Sequence, residues 1–177
     1  MDTLSVAAPV GATLPPARIL RAVSGFSLLG LCAALGSPEG LLADGLQAAL
    51  MPVAGAAVLT VPALLVAHQT LALKADPQSL LRALGRTFCD AGELALALLP
   101  VVGLFMLTTD VTPALFAMLT AGIGTLALLL GVLRLLRAEQ EVNPAATLAI
   151  LSLALGWAGL AGLIGLRLLA SPLLALF

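Results

Sequence analysis

The sequence predicts an all-α, polytopic transmembrane bundle of five spans, with a cytoplasmic N-terminus and an external C-terminus. Three observations carry that reading. Of the 177 residues, 61% are hydrophobic and 10% charged, against roughly half and a quarter in a soluble domain. The 8 basic and 9 acidic side chains gather into short islands, leaving five uncharged runs: Ala22 to Pro38, Gly45 to Leu73, Leu94 to Thr109, Val111 to Leu133 and Val142 to Leu166. A hydrocarbon core of about 30 Å takes about 20 helical residues, so each run reads as one span. The third observation is the distribution of basic residues. Arg18, Arg21, Lys74, Arg82, Arg86, Arg134 and Arg137 all fall on one side of such a bundle, whereas Arg167 alone falls on the other, with Glu39, Asp44 and Asp110. This imbalance places the basic side in the cytoplasm.

Residues 1–17 carry Asp2, no basic residue and three prolines. They lack the positive n-region of a signal peptide and read as a disordered tail. The first span, about 19–38, contains Cys32 and no polar group suited to chemistry. The second, about 45–73, carries Pro52, Pro62 and, near its cytoplasmic end, His68. Asp76-Pro77 pairs a capping side chain with proline at a first helical position. From there Arg82, Arg86, Asp90 and Glu93 recur at helical spacing opposite Leu80, Leu84, Phe88, Ala91 and Ala95. That pattern predicts an interfacial amphipathic helix over about 77–93, turning into a third span over about 94–109. Thr112-Pro113 and Asn143-Pro144 start the fourth and fifth spans, about 113–133 and 144–168, in the same way. Trp157 lies deep in the fifth, where its indole N–H needs an acceptor on a neighbouring helix.

GWAGLAGLIG, from Gly156 to Gly165, puts a glycine at every third position. Small residues let helices approach closely in lipid. Gly156, Gly159, Gly162 and Gly165 are therefore expected to form a packing groove against Ala121 and Gly124 of span four. A second pattern is an echo: ALMPVAGAAVLT, Ala49 to Thr60, returns as ALLPVVGLFMLT, Ala97 to Thr108. Pro52 and Pro100 should loosen their helices, with Gly55 and Gly103 three residues on. Inverted repeats with opened helices occur in transporters, so Pro52, Gly55, Pro100, Gly103 and His68 are the candidate transport-site residues.

Catalytic groups are scarce. His68 is the sole histidine, and Cys32 and Cys89 have no metal-ligand spacing. No nucleophile elbow, metal-binding motif, phosphate loop or nucleic-acid signature is present. The expectation is a non-enzymatic structural or assembly subunit with no cofactor and no metal. Its partners would be the lipid bilayer and a second copy or another membrane protein, and not nucleic acid. The alternative is a minimal transporter or channel. Abundant Ala, Leu and Gly, with seven Arg to one Lys, point to a GC-rich bacterial genome and hence an inner membrane.

Overall fold

A computed structural model describes residues 14–35, 42–108 and 113–176. Within them the chain forms α1 (Pro16–Leu35), α2 (Leu42–Thr70), α3 (Pro77–Thr108), α4 (Pro113–Gln140), a 3-10 turn (Pro144–Ala146) and α5 (Thr147–Leu176). Most of the expected tail, the connections bearing Glu39 and Asp110, and the Thr112 cap lie outside the described residues. Four helical segments are long and apolar enough to cross a membrane: Gly45–Thr70, Pro77–Phe105, Phe116–Gln140 and Pro144–Ala170. α1 is shorter, at 20 residues, and carries Arg18 and Arg21 near its start.

The boundaries depart from expectation in instructive ways. Helix begins at Pro16, inside the segment expected to be a tail. No turn separates an interfacial helix from the third span; α3 runs unbroken for 32 residues. At 1.5 Å per residue that is about 48 Å, well beyond the hydrocarbon thickness. Asp90 and Glu93 do not force a bend, because they meet arginines of other helices. α4 likewise continues past residue 133 to Gln140, and α5 past 168 to Leu176. Both α2 and α3 remain helical through their internal prolines. Asp76 caps α3 as expected, its Oδ2 accepting from Ser79 N–H at 3.2 Å. Asn143 makes no such side-chain bond, and Pro144 opens a 3-10 turn instead.

The helices close into a ring: α1 packs on α3, α3 on α4, α4 on α5, α5 on α2, and α2 back on α1. The tightest backbone approaches all involve α1. A Cβ on Gly25 would overlap the Gly92 carbonyl, one on Gly92 would lie 2.7 Å from the Ala22 carbonyl carbon, and Gly30 and Gly45 exclude each other's Cβ in the same way. Glycine is required at these crossings because backbone, which cannot rotate aside, occupies the place of the side chain.

The groove expected on α5 is different. A Cβ on Gly156 or Gly159 would meet nothing within 4 Å, and both residues are exposed. Gly162 would meet Leu128 of α4 at 3.4 Å, and Gly165 the Pro52 carbonyl of α2 at 3.6 Å. α4 and α5 do pack together, but the small residues of this seam are not where backbones meet. The helix rotation puts Gly156 and Gly159 on the outer face.

Candidate functional site

Two apolar clusters fill the ring. One gathers Phe26, Leu29, Ala91, Ile123 and Leu169; the other gathers Leu64, Leu80, Leu84, Leu135 and Ala154. Residues of both line a cavity of about 300 Å³, and all five helices contribute to its wall. On α2 the lining runs from Ala49 to Val61, a rise of twelve residue steps or about 18 Å along the axis, so the space is a slot and not a sphere. Phe26 and Phe88 close one side, with ring centroids 5.4 Å apart.

The seam residues now have a place. Ala121 and Gly124 of α4 and Gly162 and Gly165 of α5 all line the slot. No heavy atom lies within 4 Å of where a Gly124 Cβ would stand. Their smallness makes room. Thr125 on α4 and Leu166 on α5 line the slot and are also exposed, Leu166 to 57%. The slot therefore opens sideways between α4 and α5, toward the surface where lipid would lie.

Four threonines and a tryptophan supply its polar atoms. Thr60, Thr87, Thr120 and Thr125 each donate to the carbonyl four residues back, at 2.8, 3.0, 2.8 and 2.8 Å. Such back-bonding is the usual way for a hydroxyl inside an apolar helix to be satisfied. Trp157 donates its indole N–H to Thr60 Oγ1 at 3.0 Å, which is the neighbouring-helix acceptor that its depth demands. This bond ties α5 to α2.

Two polar constellations lie beside the slot, the first touching its lining at Thr87. Asp90 is flanked by Arg18 of α1 and Arg134 of α4, one on each carboxylate oxygen. Arg18 also reaches Glu93 at 3.2 Å, and Arg134 reaches Thr87 Oγ1 at 3.1 Å. The Glu93 hydrogen bond, opposed by partial burial and aided by Asp90, pushes the Arg18 guanidinium above its ordinary pKa. Charges expected on the polar stripe of an interfacial helix thus join three helices, because α1 and α4 bring guanidinium groups to α3.

The second constellation is fully buried. His68 Nε2 lies 3.1 Å from Glu139 Oε2, with exposures of 2% and 0%. Glu139 also accepts from Lys74 N–H at 2.8 Å and Ala75 N–H at 2.9 Å. The connection it holds ends α2 in a Schellman turn: Leu73 N–H returns to the His68 carbonyl and Ala72 N–H to that of Gln69, with Ala72 at φ 51°. Glu139 acts as a latch, fixing the α2–α3 connection to the end of α4.

The five candidate transport-site residues do not come together in one place. Pro52 lines the slot, while Gly55 packs against Leu168 of α5. Pro100 is exposed, no heavy atom lies within 4 Å of a Cβ on Gly103, and His68 belongs to the latch. α2 and α3 sit on either side of α1 and share no substantial contact, so the echo's two halves do not meet. Sequence reading missed the threonines, whose i−4 back-bonding marks them as satisfied within apolar helices, and Glu139, for which no local pattern gave a signal. Among the described residues, no group of three or more His, Cys, Asp or Glu is placed to hold a metal ion. No family model, curated protein or solved structure matches the chain.

Proposed function

We propose that this is a non-enzymatic, five-span integral membrane protein that takes one slender apolar molecule from the bilayer and holds it inside its helix ring. The observation that carries this reading is the cavity of about 300 Å³ lined from all five helices and open at the α4–α5 seam. Its size falls at the lower end for small-molecule sites, and its wall combines apolar side chains with a few convergent polar groups. Threonine hydroxyls and an indole exchange no protons near neutral pH, which supports binding over catalysis. The sidewise opening suits a ligand that arrives through lipid.

Five spans with a cytoplasmic N-terminus fit the same picture. Arg18, Asp90 and Arg134 meet, and His68, Lys74 and Glu139 meet. The starts of α1 and α3 therefore lie at one end of the bundle with the ends of α2 and α4. That end carries the basic excess, as the positive-inside rule asks of a cytoplasmic face. The arginine-rich, Ala-Leu-Gly composition supports a bacterial inner membrane.

The test is Gly124→Phe. Gly124 lines the slot, and nothing stands within 4 Å of the first carbon of the new side chain. The protein, purified in mild detergent and analysed by native mass spectrometry, should retain a co-purifying apolar molecule that the variant loses while melting no lower. Equal lipid content in parent and variant would refute the proposal.

An assembly role has one observation of its own. Gly156 and Gly159 are exposed with open space where a side chain would stand, as a face awaiting a second helix would be. Chemical cross-linking in native membranes should then give a dimer that Gly159→Leu abolishes; a monomer from the parent would exclude it.

A further inference from the structure

The hydrogen-bond directions in the slot select its ligand, given that the slot binds one as proposed above. A carbonyl oxygen only accepts, so each of the four threonine hydroxyls must spend its single proton on the helix carbonyl behind it. An indole N–H and a guanidinium only donate, so Thr60 receives Trp157 and Thr87 receives Arg134 on their oxygen lone pairs. Thr120 and Thr125 receive no protein donor among the described residues, and both lie on α4 beside the opening. The lining side chains thus leave acceptor positions open and no free proton, since the one indole N–H is already taken.

We infer that the ligand is a neutral single-chain lipid alcohol, its chain lying in the slot and its hydroxyl donating to Thr120 or Thr125 of α4. A hydroxyl brings the proton that these oxygens lack. An ionised carboxylate brings only lone pairs, would face acceptors alone, and would leave its charge buried without a donor. The nearest cations do not change this, since Arg18 and Arg134 are matched by Asp90 and Glu93. The slot's length of about 18 Å along α2 and its narrow volume fit one chain, which argues against a two-chain lipid.

The experiment uses the full chain in nanodiscs and three diazirine probes of equal chain length: an alcohol, its methyl ether, and the carboxylic acid at alkaline pH. Cross-linked peptides are read by mass spectrometry. The alcohol should label slot-lining peptides about two- to tenfold more than the ether, the worth of one net hydrogen bond, and the carboxylate should label them least. Thr120→Val combined with Thr125→Val should bring the alcohol down to the ether's level and leave ether labelling unchanged. Equal alcohol and ether labelling in the parent, labelling by the carboxylate as strong as by the alcohol, or no response to the double substitution would overturn the assignment while leaving the binding site in place. Absence of slot labelling by all three probes, or labelling that Gly124→Phe does not reduce, would instead remove the binding reading on which it rests.

Discussion

Gly92→Ala tests the claim that α1 is held by backbone approach and not by side-chain fit. The added methyl would lie 2.7 Å from the Ala22 carbonyl carbon and still nearer its oxygen, where carbon contacts settle at about 3.5–4.0 Å. The two helices must part by about 1 Å. Overpacking of this kind costs about 1–3 kcal/mol, and the upper part of the range applies because the obstacle is main chain. Alanine recovers up to about 1 kcal/mol in helix propensity. The net loss is about 1–2 kcal/mol, a fall in Tm of about 2–8 °C for a chain of this size. Gly159→Ala is the control, with the same propensity gain and nothing within 4 Å to strike, so its Tm should stay level or rise. Unfolding in mild detergent can be followed with a thiol-reactive dye, because Cys89 is 1% exposed in the fold. A Gly92→Ala protein that melts with the parent, or above Gly159→Ala, would refute the reasoning.

Three more perturbations address the polar features. Glu139→Gln keeps the shape but leaves one carboxamide oxygen for the Lys74 and Ala75 amides, so hydrogen exchange at those two sites should speed about tenfold or more, the worth of one lost charged hydrogen bond; unchanged protection would show that the latch is idle. Asp90→Asn takes from Arg134 its carboxylate partner and from Arg18 one of two, both guanidinium groups being about a third exposed, and should cost about 1–3 kcal/mol. A double-mutant cycle with Arg134→Gln should return a coupling above about 0.5 kcal/mol, and strict additivity would deny the pair. Ala72→Gly removes a left-handed strain of about 1–2 kcal/mol and adds up to about 1 kcal/mol of unfolded-state entropy, so Tm should rise slightly; a clear fall would contradict the assigned turn.

Much of the helical layout was legible because it follows from hydropathy and punctuation, which are local. The prolines at 77, 113 and 144 mark helix starts by a property of their own backbone. Partners are not local. Asp90 and Glu93 fell on a polar stripe of α3, and nothing within that stripe says that Arg18 and Arg134 stand opposite it. Glu139 sits in an ordinary charged island, and its burial depends on residues more than sixty positions earlier. The glycines teach the same lesson from the other side. Sequence identifies a small face, but whether that face admits a backbone, a cavity or lipid depends on the rotation of both helices. Gly25, Gly30, Gly45 and Gly92 make the close approaches without any conspicuous spacing, while the conspicuous series on α5 divides between the slot, at Gly162 and Gly165, and the outer face, at Gly156 and Gly159.

The order of the ring also bears on how the molecule is made. α1 to α4 are joined by contacts α1–α2, α1–α3 and α3–α4, and the end of α4 meets α2 through Glu139 and His68. Along the slot it is α5 that packs on both α4 and α2, and the Trp157 to Thr60 bond joins residues 97 positions apart. The wall of the slot is complete only with α5 docked, since Trp157, Ala161, Gly162 and Gly165 line it. In the binding role proposed above, the α4–α5 seam is then the place where an occupant enters and leaves the ring.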